Sequence, residues 1–159
     1  MDSRRKQCVR FLAWLSFIVY IFFIVYFMFM SEELGRSIKG ETYRYNLKVG
    51  NEIKRFWYNR DTLGMKVVIV NIVGNVITFM PFGFILPMLT RKKVYKNIIT
   101  VTMITALFSL SIETIQLNYR IGAFDVDDMI LNTMGGFLGC FIYHICNTIR
   151  VLMKKSSKK

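Results

Sequence analysis

Four long apolar runs alternate with polar and charged segments along the chain. The runs occupy residues 11–30, 67–89, 98–117 and 129–149. A helix of about 20 apolar residues is long enough to cross the hydrocarbon core of a bilayer. The pattern therefore predicts an all-α integral membrane bundle of about four transmembrane helices, with residues 1–159 forming a single domain.

The first apolar run follows a basic segment and therefore has two interpretations. Arg4, Arg5 and Lys6 precede it, as basic residues precede the apolar region of a secretory signal peptide. The run itself holds no charge, is longer than a signal-peptide core, and is not followed by a small-residue cleavage site. We therefore predict an uncleaved membrane anchor.

The composition supports a membrane protein, and the charge distribution predicts its orientation. Hydrophobic residues make up 53% of the chain, more than the core of so small a soluble domain would hold. The net charge is +12, but 13 of the 22 Lys and Arg residues lie in 1–10, 91–96 and 149–159, each beside an apolar run. This arrangement follows the positive-inside rule and argues against nucleic-acid binding. It predicts cytoplasmic termini, with the 31–66 loop and the 118–128 turn outside.

One stretch of the 31–66 loop shows helical periodicity. Ile53, Phe56 and Trp57 recur at i, i+3 and i+4, while basic residues fall on other faces. The spacing predicts a short amphipathic helix on the membrane surface. The alternative is an ordinary loop that contains a few aromatic residues.

Polar side chains in the predicted spans concentrate at one depth. The second span enters from outside, the third ends there and the fourth begins there, so three segments bring polar groups to the outer half of the membrane. Spacings of three, four and seven residues place each set on one helix face. Such residues are candidates for function. They are Asn71, Asn75, Glu113, Gln116, Asp125, Asp128 and Asn132.

Most of these residues also have a structural interpretation. Asp125 and Asp128 would cap the N-terminus of the fourth helix, satisfying its N–H groups and its dipole. Asn71 and Asn75 would join helices by hydrogen bonds. Glu113 has no comparable role, because a carboxylate near a helix C-terminus opposes the helix dipole.

The acidic residues suggest a cation. The carboxylates of Glu113, Asp125, Asp127 and Asp128 would repel one another if they packed closely, so either one is protonated or a divalent cation neutralises them. Carboxylate oxygens favour Mg²⁺, Ca²⁺ or Mn²⁺ over Zn²⁺. Arg120 either pairs with one of these acids or is a solvated turn residue. No other cofactor is indicated.

Small residues in the fourth run indicate close helix packing. Gly135, Gly136 and Gly139 include the small-xxx-small spacing of tightly packed membrane helices. We therefore expect this face of the helix to contact a neighbouring backbone.

Three blocks of the sequence resemble the VanZ-like family of membrane proteins. They are 71–83, with Asn-x-x-x-Asn followed by a Phe-Met-Pro-Phe-Gly segment; 112–116, with Glu-x-x-Gln; and 122–136, which carries the acidic residues and the glycine pair. The blocks occur in the family's order and together are specific. Residues 46–50 depart from the family's Asn-Leu-x-Pro-Phe pattern, because they lack the Pro and the Phe.

The resemblance implies a multi-pass protein of a bacterial plasma membrane, linked to resistance against teicoplanin, a glycopeptide antibiotic with a lipid tail. It implies that a polar site at the outer leaflet binds, acts on or excludes an amphiphilic envelope component. The partners to be expected are membrane lipid and either a lipid-linked envelope precursor or a lipoglycopeptide.

Three functional classes stay open. The first is a non-catalytic binding or accessory protein. The second is an enzyme acting on a lipid-linked envelope substrate, in which carboxylates serve as acid or base. The third is a small transporter, which fits least because the inner halves of the spans are mostly apolar. The catalytic candidates are Glu113, Asp125 and Asp128, and the substrate-binding candidates are Asn71, Asn75, Gln116, Arg120 and Asn132.

Overall fold

The computed structural model describes residues 3–30, 42–89 and 92–156, which form six α-helices and two short strands. Residues 31–41 of the 31–66 loop lie outside the described residues. In chain order the elements are α1 (Ser3–Met30), β1 (Arg44–Asn46), α2 (Asn51–Tyr58), α3 (Arg60–Leu63), α4 (Met65–Leu89), a 3₁₀ helix (Lys93–Lys96), α5 (Ile98–Tyr119), β2 (Ala123–Asp125) and α6 (Val126–Ser156).

The four long helices confirm the predicted membrane bundle. Within the described residues α1, α4, α5 and α6 are each long and apolar enough to cross a bilayer. Their ends differ from the predicted ones, because α1 begins at Ser3 and α6 continues to Ser156. A hydropathy pattern shows only the apolar part of a helix, whereas backbone hydrogen bonding continues into the flanking basic residues.

Helices α4 and α6 run in the same direction and pack through glycines, as the small-residue spacing predicted. A Cβ atom added to Gly139 would lie 1.9 Å from the carbonyl oxygen of Met80, and one added to Gly83 would lie 1.9 Å from that of Gly136. At Gly135 it would lie 2.3 Å from a carbonyl oxygen of α4. The two backbones therefore approach too closely for any side chain at these positions.

Helix α1 is held against α4 and α5 by polar contacts as well as apolar packing. The Tyr20 hydroxyl donates to the Thr78 carbonyl oxygen and accepts the Phe82 N–H at 3.2 Å, on either side of Pro81. It thus bridges two backbone groups that a regular helix would join directly. Around this contact the core contains Ile24, Met28, Phe79 and Ile112.

The bundle has two ends, since α4 and α6 begin at the end where α5 finishes. We name one end for its basic residues and the other for its buried carboxylates. The basic end contains the 3₁₀ helix, where Nε2 of His144 lies 2.8 Å from the Lys96 carbonyl oxygen. The acidic end contains residues 42–64, the start of α4, the end of α5 and residues 120–128.

The acidic end carries two features of the 31–66 loop. Strand β1 pairs in parallel with β2, in a register that places Asn46 beside Asp125, and this small sheet was not predicted. Helix α2 confirms the predicted helix. Ile53 and Phe56 are half-buried, whereas Trp57 is 55% exposed, so the three side chains do not share one environment.

Candidate functional site

Asp125 lies at the centre of a hydrogen-bonded cluster at the acidic end. Its backbone N–H donates to Oε2 of Glu113 at 3.0 Å. Its own Oδ1 accepts the backbone N–H of Asp127 at 2.8 Å, which caps the first turn of α6. The side-chain amide of Asn46 lies 3.2 and 3.4 Å from its two carboxylate oxygens. The predicted capping role is thus present at Asp125, together with a link to the loop.

Asp127 caps a different helix from the one it belongs to. Its Oδ1 accepts the N–H of Gly50 at 2.5 Å, and its Oδ2 accepts those of Glu52 at 2.9 Å and Ile53 at 3.4 Å. The N-cap position of α2 is Gly50, which has no side chain to cap with, so Asp127 supplies the missing acceptor from 77 residues away. The side chain is 1% exposed. Sequence reasoning missed this role.

Asp128 and Glu113 are the acidic candidates that face neighbouring spans. Oδ1 of Asp128 accepts from the Asn75 amide at 2.6 Å, which joins α4 to α6 in the way predicted for the asparagines. Glu113 is fully buried on α5 and joins the end of that helix to β2 through the Asp125 N–H. The structure therefore brings Asn75, Glu113, Asp125 and Asp128 into one cluster.

Two further candidates connect spans without joining this cluster directly. The amide of Gln116, 1% exposed, donates to the Met28 carbonyl oxygen at 2.6 Å and fixes α1 to α5. The amide of Asn132 donates to Oγ of Ser109 at 2.9 Å, one turn deeper than Asp128. Within the described residues, Oδ1 of Asn132 is buried and has no hydrogen-bond partner.

Asn71 has a different environment from Asn75. Its amide donates to the Val67 carbonyl oxygen of its own helix at 2.9 Å, so the predicted interhelical bond is not the one observed. It lines a cavity of about 240 Å³ together with Lys66, Val67 and Val70. Asn75 lies one turn further along α4, and neither Asn75 nor Asp128 is among the residues that line this cavity.

Arg120 ends α5 in an unusual backbone conformation. Its φ of 56° lies in the left-handed region, which is uncommon for a residue other than glycine. Its guanidinium carbon lies 4.6 Å from the centroid of the Tyr43 ring, a cation–π contact that joins the turn to the segment before β1. Pairing of Arg120 with one of the acids stays a prediction.

Burial at the acidic end disfavours the charged forms of its carboxylates. Burial raises the pKa of Asp125, while the Asp127 N–H and the Asn46 amide act in the opposite direction. Burial also raises the pKa of Glu52 on α2, opposed by Arg55, whose guanidinium lies 2.7 Å away. Hydrogen-bond donors and a guanidinium of the chain itself thus partly stabilise the charged forms of these two carboxylates.

The predicted Mg²⁺, Ca²⁺ or Mn²⁺ site stays a prediction. Among the described residues, no group of three or more His, Cys, Asp or Glu side chains is arranged to hold a metal ion. The carboxylates of Asp125 and Asp127 accept hydrogen bonds from N–H donors of the chain itself.

The fold and the site define a class: a small multi-span helical membrane protein with a buried acidic cluster at one end of its bundle. Comparison with known proteins specifies the family. The VanZ/LLP1 family model matches residues 17–147, and the chain belongs to this family.

A characterised relative supports the same assignment. Protein VanZ of Enterococcus faecium is 37% identical to the chain over 75 residues, which make up 47% of this chain and 45% of that protein. The chain thus matches less than half the length of this relative. No solved structure matches the chain.

Proposed function

We propose that the protein contributes to resistance against teicoplanin-type lipoglycopeptides by binding an amphiphilic envelope component at the acidic end of its bundle. Membership of the VanZ/LLP1 family and similarity to Protein VanZ support the link to resistance. The observation that carries the binding site is the part-buried Asn75–Asp128 pair, joined at 2.6 Å. A cavity lined by Asn71 lies one helical turn nearer the start of α4.

The surroundings of this cavity suit a ligand that is polar at one end and apolar at the other. Lys66 and Asn71 present polar groups, and Val67 and Val70 complete the lining with apolar ones. The outward face of α4 continues with exposed apolar side chains, among them Ile69. A polar head in the cavity would thus leave an apolar tail along the lipid-facing side of α4.

Hydrogen bonding favours binding over acid–base catalysis. A general acid or base must exchange a proton with the reacting group in the transition state. Asp125 and Asp127 instead accept N–H groups of the chain itself, and these bonds hold their oxygens in a structural role. Binding needs only that Asp128 keeps its charge and that Asp128 and Asn75 keep their positions.

Resistance in a teicoplanin-susceptible bacterial host tests this proposal. The minimum inhibitory concentration of teicoplanin is measured with the unmodified protein, with Asp128→Asn and with Glu113→Gln. Both substitutions remove a charge with almost no change in volume, so packing should suffer little. We expect both variants to lose resistance while their membrane levels stay near those of the unmodified protein.

Asp61→Asn is the matched control, because this carboxylate lies on α3 with its side chain 86% exposed. It should keep full resistance. Normal resistance in the combined Glu113→Gln and Asp128→Asn variant would contradict the site. Lack of any teicoplanin effect from the unmodified protein would contradict the function itself.

A further inference from the structure

One surface of the 31–66 loop is both basic and aromatic, and the polar cluster does not account for it. Trp57 and Tyr58 of α2 are 55% and 78% exposed. Lys54 is exposed on the same helix, and the Arg60 guanidinium carbon lies 5.3 Å from the Trp57 ring centroid. We call Lys54, Trp57, Tyr58 and Arg60 the α2 face.

Two anchors fix the depth of this face in the membrane. The N-terminus of α2 is bonded to Asp127, in the first turn of the span-forming helix α6. At its other end, Asn59, α3 and Gly64 separate α2 from Met65, where α4 begins. Both ends of α2 therefore lie at the level where spans begin, and the helix lies along the bilayer boundary.

The chemistry of the α2 face matches that boundary. Trp and Tyr concentrate where lipid headgroups meet hydrocarbon, because their rings are apolar and their N–H or O–H groups are polar. Lys and Arg beside them bind phosphate, Arg through a planar fork of donors. Residues 42–64 carry a net charge of +3, so an anionic partner is favoured over a neutral one.

We propose that the α2 face binds the headgroups of anionic phospholipids. Lys54 and Arg60 contact the phosphate, and Trp57 and Tyr58 lie at the level of the lipid glycerol. The acidic cluster positions this face through Asp127 and is not itself the lipid site. The proposal is independent of teicoplanin resistance.

Fluorescence quenching by brominated lipids tests it directly. The chain has two tryptophans, so Trp14→Phe leaves Trp57 as the sole emitter. The full-length variant is reconstituted in phosphatidylcholine vesicles that contain a minor fraction of phosphatidylglycerol, with bromine on the acyl chains of one lipid or the other. We expect phosphatidylglycerol to quench Trp57 more per molecule, by up to about fivefold for each cation in contact.

A matched pair of lysine substitutions separates the α2 face from general basicity. Lys54→Gln should lower the preference for phosphatidylglycerol while phosphatidylcholine quenching persists, and Arg60→Gln should act in the same direction. Lys93→Gln removes an exposed lysine at the basic end and should change nothing.

Three results would overturn the proposal. The first is equal quenching per molecule by the two lipids. The second is no quenching by either lipid with water-like emission, since Trp57 would then lie in solvent. The third is an equal loss of quenching by both lipids in Lys54→Gln, because Lys54 would then hold the helix in place rather than select the lipid.

Discussion

Replacing Asp127 with Asn tests whether this carboxylate holds α2 on the bundle. One oxygen accepts the Gly50 N–H at 2.5 Å, and the other accepts the Glu52 N–H at 2.9 Å and the Ile53 N–H at 3.4 Å. Asn has one acceptor oxygen and an NH₂ group in place of the second. Whichever way the amide turns, its NH₂ group faces at least one of these backbone donors.

The expected loss is local to the N-terminus of α2. A hydrogen bond to a charged acceptor contributes about 1.5–3 kcal/mol, and a buried N–H without an acceptor costs about 1–3 kcal/mol. We therefore expect α2 to open more easily by about 2–3 kcal/mol, which corresponds to about 30- to 150-fold more frequent opening.

Hydrogen–deuterium exchange of the protein in nanodiscs measures this opening. The backbone amides of Gly50, Glu52 and Ile53 should exchange faster in Asp127→Asn. Asp128→Asn is the matched control, because its bond to the Asn75 amide uses a single oxygen, which Asn retains. The control should leave these three amides at their original rates, and the middle of α6 should be unchanged in both variants.

Unchanged exchange of the three amides in Asp127→Asn would refute the reasoning. It would mean that β1–β2 pairing and the Tyr43–Arg120 contact hold the loop without the carboxylate. Faster exchange throughout α6 would refute it as well, because the damage would then be global rather than confined to α2.

Three further predictions concern packing, pH and orientation. Gly139→Ala should lower the melting temperature, since overpacking costs about 1–3 kcal/mol or more, whereas Gly74→Ala should be tolerated because its added Cβ meets no atom closer than 3.9 Å. Burial raises the pKa of Asp125 in the folded protein above its ordinary value of 3.8. The protonated side chain therefore stabilises the fold below pH 3.8, and this stabilisation is lost as the pH rises through the raised pKa. Asp125→Asn should remove this component from melting curves recorded against pH. In intact cells, an impermeant thiol reagent should label Cys at position 45 and miss Cys at 93, and labelling at 93 would contradict the predicted orientation.

The sequence was sufficient to predict the spans and one tightly packed face of the fourth, because both depend on local composition. An apolar run of about 20 residues has few alternatives to a spanning helix. Close packing of this part of α6 was predictable from its three closely spaced glycines, but its partners were not. Gly135 and Gly139 lie against α4 carbonyl oxygens, and Gly136 lies against Thr105 of α5.

The small β1–β2 sheet was not predictable from a pattern. Each strand has three residues, too few for an alternation of polar and apolar positions to be recognised. Its partners are 79 residues apart, and their pairing depends on how α5 and α6 bring the turn before Asp125 to the loop. The family's loop pattern gave one signal: Asn46 bonds Asp125 although the Pro and Phe that usually follow are absent.

The roles of the acidic residues depend on long-range contacts, and this limits what a sequence can assign. Counting carboxylates near one membrane surface suggested repulsion and a metal, and it left out the hydrogen-bond donors that face these carboxylates. The metal site stays a prediction. One of those contacts had a signal in the sequence. Gly50 precedes α2 and has no side chain to cap it, so the free N–H groups of α2 need an acceptor from water or from elsewhere in the chain. Asp127 meets that requirement, and Asp125 caps α6 while contacting Asn46. Two of the acids thus hold the loop in place, which makes the charges of Glu113 and Asp128 the informative ones to remove in a test of function.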